Sequence, residues 1–306
     1  MSFTQGLGKW LGCAEVYSGE GRFLGNATDR RHVQDIGAGK TRIDVSFIGP
    51  IKMSGQYFIQ DRGDHRLYEG PANVGSAEAL SANTIDANAY WASVGLSQKF
   101  FLMTLPEQHM QLSLAYLSRG EQLMYVVVGE NHRVDSESDD VALPNLVSGT
   151  SYDLQNDPCC GRGELLLHRN GVWSGKLNVI NAKRECVGET NYIEEVSTDV
   201  NRIRVHTTGN AFASERQSIE LTTNGWQAWS GESAASAASG VVGSYSLSGG
   251  RALGGHFHFA SDGLRLWRRE VVSSDGRCKA ILHTWYRGGE RIGAQFGVLM
   301  FERWNI

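Results

Sequence analysis

Asn170-Gly171-Val172-Trp173-Ser174-Gly175 stands in mid-chain, yet it has the form of an opening strand. Gly8-Lys9-Trp10-Leu11-Gly12 carries the same Gly-x-Trp-x-Gly spacing 163 residues earlier (173 − 10 = 163). A chain that begins twice should be searched for a repeat first. At the same offset Phe23-Leu24-Gly25 meets Cys186-Val187-Gly188. Near an offset of 160, Arg42-Ile43-Asp44-Val45 meets Arg202-Ile203-Arg204-Val205. At 168, Trp91–Leu96 meets Phe259–Leu264. At 169, Tyr116 meets Trp285 and Gly120-Glu121 meets Gly289-Glu290, and at 170 Arg133 meets Arg303. The pairs keep one order and the offset drifts by only a few residues, so two copies of one domain are predicted. Their bounds are 1–135 and 165–306. The stretch 136–164 is the connector, because acids, Pro144, Pro158 and Gly161 break any regular period there.

Each copy reads as short strands. Thr41–Phe47 puts Ile43, Val45 and Phe47 on one side, and Gln111–Leu117 alternates in the same way. Leu264–Val272 and Ala280–Arg287 flank the turn Ser274-Asp275-Gly276. Ser118–Glu121 and Tyr286–Glu290 read as hairpin tips. The one stretch close to a helical period is 75–88, which predicts a short helix. Ser233–Gly240 reads as a loop. Many short antiparallel strands predict a sandwich or a barrel, and a barrel leaves no exposed edge.

A Gly-x-Trp on the first strand with an Arg at the end of the last strand resembles the lipocalin, or calycin, signature. Gly8-Lys9-Trp10 with Arg133, and Gly171-Val172-Trp173 with Arg303, each supply it. The resemblance implies an all-β protein of two tandem lipocalin-like antiparallel β-barrels. It also implies that each Trp closes a barrel base under a stacked Arg. In layout the chain is similar to two-barrel carotenoid hydratases and to two-barrel cyclases of natural-product pathways. No motif assigns it to either group, so no catalytic residue is carried over from them.

Composition narrows the class. The 306 residues are 41% hydrophobic and 20% charged, with 37 Gly and 5 Pro, and the net charge is −4. That balance suits a globular protein and gives no basic field for a nucleic acid. No apolar run reaches the length of a membrane helix. Cys13, Cys159, Cys160, Cys186 and Cys278 are odd in number and scattered, which argues against a disulfide framework. With a start that lacks a signal-peptide pattern, this predicts a cytoplasmic protein. Asp35–Thr41 ends like a phosphate loop, but Gln34 stands where the first Gly is needed and a strand follows, so it reads as a hairpin turn.

The candidate site residues lie mostly in the second copy. His283 shares a face with Ile281 and Trp285, an otherwise apolar stripe, so it is buried or faces a cavity. At an offset of 169 its match is Leu114, on the stripe Leu112, Leu114, Tyr116. A histidine there either bonds a neighbour in the core or moves protons near neutral pH. His256 and His258 share one face of their strand, and Phe257 and Phe259 the other. If the aromatic face is inside, the histidines face solvent; if it is outside, they line a cavity. Their spacing also suits a metal, but the ligand set is incomplete and no metal is predicted. Cys159-Cys160 reads as an inert loop pair.

Trp226, Trp229, Trp285, Tyr245, Arg251 and His206 are the candidate ligand-binding residues, on the expectation of an aromatic wall with few polar groups. Arg268-Arg269-Glu270 straddles both faces, which predicts one Arg solvated and one paired. Six of the eight tryptophans follow residue 170, and that excess points to the second copy or the seam between copies. The function expected is a cofactor-independent isomerase, cyclase or hydratase acting on a hydrophobic small molecule in a barrel. The alternative is a carrier or sensor of such a ligand without chemistry. A third is an interaction module with filled barrels. Neither a cofactor nor a nucleic-acid partner is expected, and the sequence assigns no oligomeric state.

Overall fold

A computed structural model of the chain describes all residues except 1–3, 64, 79, 135–164, 201, 214–215, 225–226, 231–239 and 304–306. The chain divides into two compact units, Met1–Gln155 and Asn156–Ile306. Each holds one closed antiparallel barrel of ten strands.

In the first unit the strands are β1 (Gly8–Ser18), β2 (Phe23–Asp35), β3 (Lys40–Ile48), β4 (Lys52–Asp61) and β5 (His65–Glu69), then β6 (Asn73–Glu78), β7 (Thr84–Trp91), β8 (Leu96–Leu105), β9 (Met110–Arg119) and β10 (Gln122–Val134). Sequence neighbours pair throughout, and β1 pairs with both β2 and β10 to close the ring. In the second unit they are β11 (Gly171–Asn181), β12 (Cys186–Asp199), β13 (Arg202–Thr208), β14 (Arg216–Asn224) and β15 (Gln227–Ser230), then β16 (Val241–Ser248), β17 (Ala252–Phe259), β18 (Leu264–Val272), β19 (Cys278–Arg287) and β20 (Glu290–Glu302). There β11 closes against β12 and β20. The two opening Gly-x-Trp segments are therefore the first strands of two barrels, and the internal repeat is one barrel made twice. The connector expected at 136–164, with Cys159 and Cys160, lies outside the described residues, as does nearly all of Ser233–Gly240.

Two expectations need correction. Residues 75–78 and 84–88 are not helical but belong to β6 and β7, which pair with Asn73 opposite Trp91 and Ala77 opposite Ala87. Ala77, Ala87 and Ala89 are buried inward, so their small size serves the barrel interior and overrides their helix preference. The cations stacked on Trp173 are Arg169, 5.4 Å from the ring centre, and Lys279, at 5.0 Å. Arg303 lies beyond the last residue of β20 and is exposed. In the first barrel Arg133 pairs with Trp10 across the ladder but is exposed, with its guanidinium beside Gly8. Finally, Arg269 is not solvated: it is 1% exposed, and its guanidinium lies 3.9 Å from the centre of the Trp267 ring.

The turn reading of Asp35–Thr41 holds. Gly37, Ala38 and Gly39 all have positive φ (85°, 53° and 69°) between β2 and β3. Glycine meets that need without steric cost.

Candidate functional site

Cross-strand register fixes which side chains enter each barrel, because directly opposed residues share a face. Ala115 on β9 faces Phe100 on β8 and Val127 on β10. His283 on β19 faces Arg268 on β18 and Gln295 on β20. All three pairs differ by 168 (283 − 115, 268 − 100, 295 − 127). The bulges agree, since the register shifts after Leu117 in one barrel and after Trp285 in the other. The match of His283 is therefore Ala115 and not Leu114. An offset of 169 slips the comparison by one residue, and one residue flips every side chain to the other face. Leu112 and Leu114 point away from the barrel interior.

The corrected alignment separates the two interiors. Along β9 the inward residues are Gln111, Ser113, Ala115 and Leu117; along β19 they are Lys279, Ile281, His283 and Trp285. The first set is smaller at every position, from Gln111 against Lys279 to Leu117 against Trp285. Small residues continue onto the neighbouring strands as Ala14 and Gly129. Gly129 has no spare room beside Ser113, since a Cβ there would lie 2.5 Å from its Oγ.

The result is a cavity of about 90 Å³ inside the first barrel. Two apolar clusters bound it. One contains Trp10, Ile43, Ile59, Tyr68 and Leu102; the other contains Phe47, Met53, Trp91, Leu96 and Leu117; Tyr57 and Phe100 pack against both. The Tyr57 ring stands edge-on to Trp91 with centres 5.9 Å apart.

Polar groups enter at defined points. Asp29 on β2 takes two bonds from Arg31, one from Nε at 3.1 Å and a shorter one from Nη2. Asn131 Nδ2 donates a third to Asp29 at 3.2 Å. Gly12 permits this, because a Cβ at that position would lie 1.8 Å from Asn131 Oδ1. Burial pulls the Arg31 guanidinium down, but Asp29 more than offsets this and holds it firmly charged. On the far side Gln98 accepts from Trp91 Nε1 at 2.8 Å. Asn73, 2% exposed, also lines the cavity. Burial, only partly countered by Arg31, pushes the Tyr57 hydroxyl up to about 12, and burial raises Tyr68 further. Both tyrosines are thus neutral donors at any ordinary pH.

At the matched positions the described residues of the second barrel carry larger side chains. Trp173, Tyr192, Tyr245, Phe257 and Trp285 occupy it with at most 3% exposure each. Among them lies a charge network. Arg268 donates to Glu270 Oε1 from Nε at 2.7 Å and from Nη2 at 2.5 Å, and to Glu194 Oε2 at 2.8 Å. Lys279 Nζ lies 2.6 Å from Glu194 Oε1 and 3.0 Å from Glu270 Oε2. His283 Nε2 lies 2.8 Å from Glu270 Oε1. A carboxylate only accepts, so His283 donates and is fixed in one tautomer. Two carboxylates balance two cations, and His283 stays neutral because burial pulls its pKa down against Glu270. Sequence reading missed Glu194, Lys279 and His168. His168 sits in a one-turn 3-10 segment, Leu166–His168, and shares a 2.7 Å bond with the Tyr245 hydroxyl.

The predicted site residues are thus dispersed. His283, Trp285 and Tyr245 are inside the second barrel. Phe257 and Phe259 also point inward, so His256 and His258 are on its outer face. There His256 stacks on Trp267 at 5.5 Å. His206 is on the outer face of β13, bonded to Ser218 at 2.7 Å. Arg251 is fully buried in the turn before β17 and donates to the Val272 carbonyl at 3.0 Å. Trp226 and the Trp229 side chain lie outside the described residues. Of the described tryptophans and histidines of the second copy, Trp173, Trp285, His168 and His283 are buried, whereas His206, His256 and His258 are on the outer face with Trp267, so their number marks no single site.

Known proteins offer a likeness of fold. No family model and no curated protein matches the chain. Among solved structures it is similar to a protein of unknown function of the DUF3598 family from Nostoc punctiforme PCC 73102, with TM-score 0.58 and 12% identity over 98% of this chain and 97% of that one. An S-type phycobiliprotein lyase from Guillardia theta aligns with 45% of this chain and 95% of its own, with TM-score 0.34 and 10% identity. Kievitone hydratase from Nectria haematococca aligns over 98% of this chain and 90% of its own, with TM-score 0.19 and 9% identity. The first likeness concerns the two-barrel fold alone, and at their scores the other two carry no argument. No helix among the described residues is long and apolar enough to cross a membrane.

Proposed function

We propose that the first barrel binds a small, largely apolar molecule in its interior. The observation that carries this is the exchange of Lys279, Ile281, His283 and Trp285 for Gln111, Ser113, Ala115 and Leu117 at matched inward positions. Apolar walls with a few fixed polar groups are the usual make-up of a ligand pocket. The cavity volume is below the roughly 150 Å³ in which an engineered void holds benzene, so it suits one small ring at most.

Holding is favoured over turnover. The isomerase, cyclase or hydratase reading requires a group at the cavity that exchanges a proton near neutral pH. Asp29 there is locked between Arg31 and Asn131, and Tyr57 and Tyr68 stay protonated. His283, the strongest sequence candidate, is committed to Glu270 in the packed second barrel. A carrier or sensor of a hydrophobic ligand is the reading these placements support.

Ala115→Leu tests it. The added carbons enter the void between Phe100 and Val127 and should raise stability by about 1–2 kcal/mol. Binding of 4-methylanisole, followed by calorimetric titration, should weaken at least tenfold. Unchanged binding by this variant would refute the cavity as the site.

A further inference from the structure

The polar groups of the cavity restrict what it can hold. Arg31 is the cation that lines it, and its Nε and Nη2 both bond Asp29. Asn131 adds a further donor to the same carboxylate. The site is therefore charge-balanced before any ligand enters. An anionic ligand would have to compete with a buried carboxylate already in place, and an anion desolvated without its own cation is strongly disfavoured.

Asn73 supplies the positive requirement. It lies on β6, directly opposite Trp91, and the alternation that leaves Val74 46% exposed turns Asn73 inward. Its Oδ1 is buried and has no hydrogen-bond partner among the described residues. A buried carbonyl without a donor costs free energy, and a ligand donor removes that cost. The nearby indole N–H of Trp91 is already given to Gln98. The Asn73 amide lines the cavity, and rotation of the side chain presents its carbonyl as an acceptor to an incoming donor.

We infer that the molecule held in the first barrel is electrically neutral and carries an O–H or N–H that donates to Asn73. Its class is a hydroxylated or N–H-bearing aromatic or alicyclic compound, and not a fatty acid or other carboxylate. This rests on the reading of the cavity as a ligand site.

Three matched one-ring probes separate the possibilities: p-cresol, 4-methylanisole and p-toluate, titrated calorimetrically into the whole protein. p-Cresol should bind about tenfold more tightly than 4-methylanisole, in which a methyl group caps the donor oxygen. p-Toluate should bind most weakly. Asn73→Leu should abolish the preference for p-cresol over 4-methylanisole, so that the two bind the variant with equal affinity. Equal affinity of p-cresol and 4-methylanisole for the native protein overturns the inference while leaving the cavity reading intact. So does a preference for p-cresol that survives Asn73→Leu, or tightest binding by p-toluate. Binding of none of the three overturns the cavity reading and this inference with it.

Discussion

Glu270→Ala is expected to destabilise the second barrel by about 3–5 kcal/mol, the usual cost of removing one partner from a buried ion pair. The carboxylate accepts from Arg268, Lys279 and His283 at once, and every member of the group is at most 2% exposed. Burial alone would raise the Glu270 pKa; Arg268 and Lys279 overcome this and drive it well below the usual carboxylate range. Without Glu270, two cations share Glu194 inside a packed barrel and one positive charge is uncompensated. The loss is large against the roughly 5–15 kcal/mol that holds a typical domain together. Urea unfolding followed by intrinsic fluorescence measures it, and six of the eight tryptophans belong to the second copy. The double variant Glu270→Gln with Lys279→Met removes one charge of each sign and should lose much less than Glu270→Ala. A loss under about 1 kcal/mol for Glu270→Ala, a size usual for an exposed pair, would contradict the buried network.

Acid should weaken the same barrel well above the pH at which carboxylates protonate. His168 is fully buried against Tyr245, and burial first, then Lys279, lowers its pKa to about 3. An unfolded histidine takes a proton near pH 6.5. Between those values the unfolded chain binds more protons than the folded one, so stability falls as pH falls. The full contribution of neutral His168 is present above about pH 6.5 and is lost at about 1.4 kcal/mol per pH unit on the way down. By pH 4.5 this amounts to roughly 3 kcal/mol. His283, shifted in the same direction by burial, adds to the slope. Glu270 acts lower: with a depressed pKa its contribution is present above the ordinary carboxylate range and is lost as pH falls through its folded value. The paired variant His168→Phe with Tyr245→Phe keeps the stacked rings without an unpartnered hydroxyl. Its unfolding midpoint should decline less between pH 6.5 and 4.5, by about one proton's worth. An equal slope in both proteins would remove His168 from the account.

Much of this was legible in the sequence, and particular residues show where legibility stopped. Trp10 and Trp173 located two first strands, because a Gly-x-Trp repeat is a local signal. Ile281, His283 and Trp285 identified His283 as inward or buried, because strand alternation needs no partner to be read. What lay across the strands was not readable. Glu194 is far from Lys279 in sequence, and only the closing of β11 against β12 and β20 brings them together. The comparison of His283 with Leu114 failed for a related reason. An offset one residue too long still aligns plausible residues, but it compares the outside of one barrel with the inside of the other. Tryptophan count misled in its own way, since rings that line a cavity and rings that fill one look alike in a sequence. The signal that would have found the site was smallness: Ala14, Ser113 and Ala115 against Leu177, Ile281 and His283, read at the register the bulges fix.

The most direct test of the account is a crystal structure of the protein under xenon pressure, because xenon enters apolar voids and marks them without chemistry. Xenon is expected in the first barrel beside Ala115, Phe100 and Tyr57, with none among Trp173, Tyr192, Tyr245 and Trp285. Xenon inside the second barrel, or an unoccupied first barrel, would contradict the claim that one copy is built to hold a molecule and the other is filled by its own side chains.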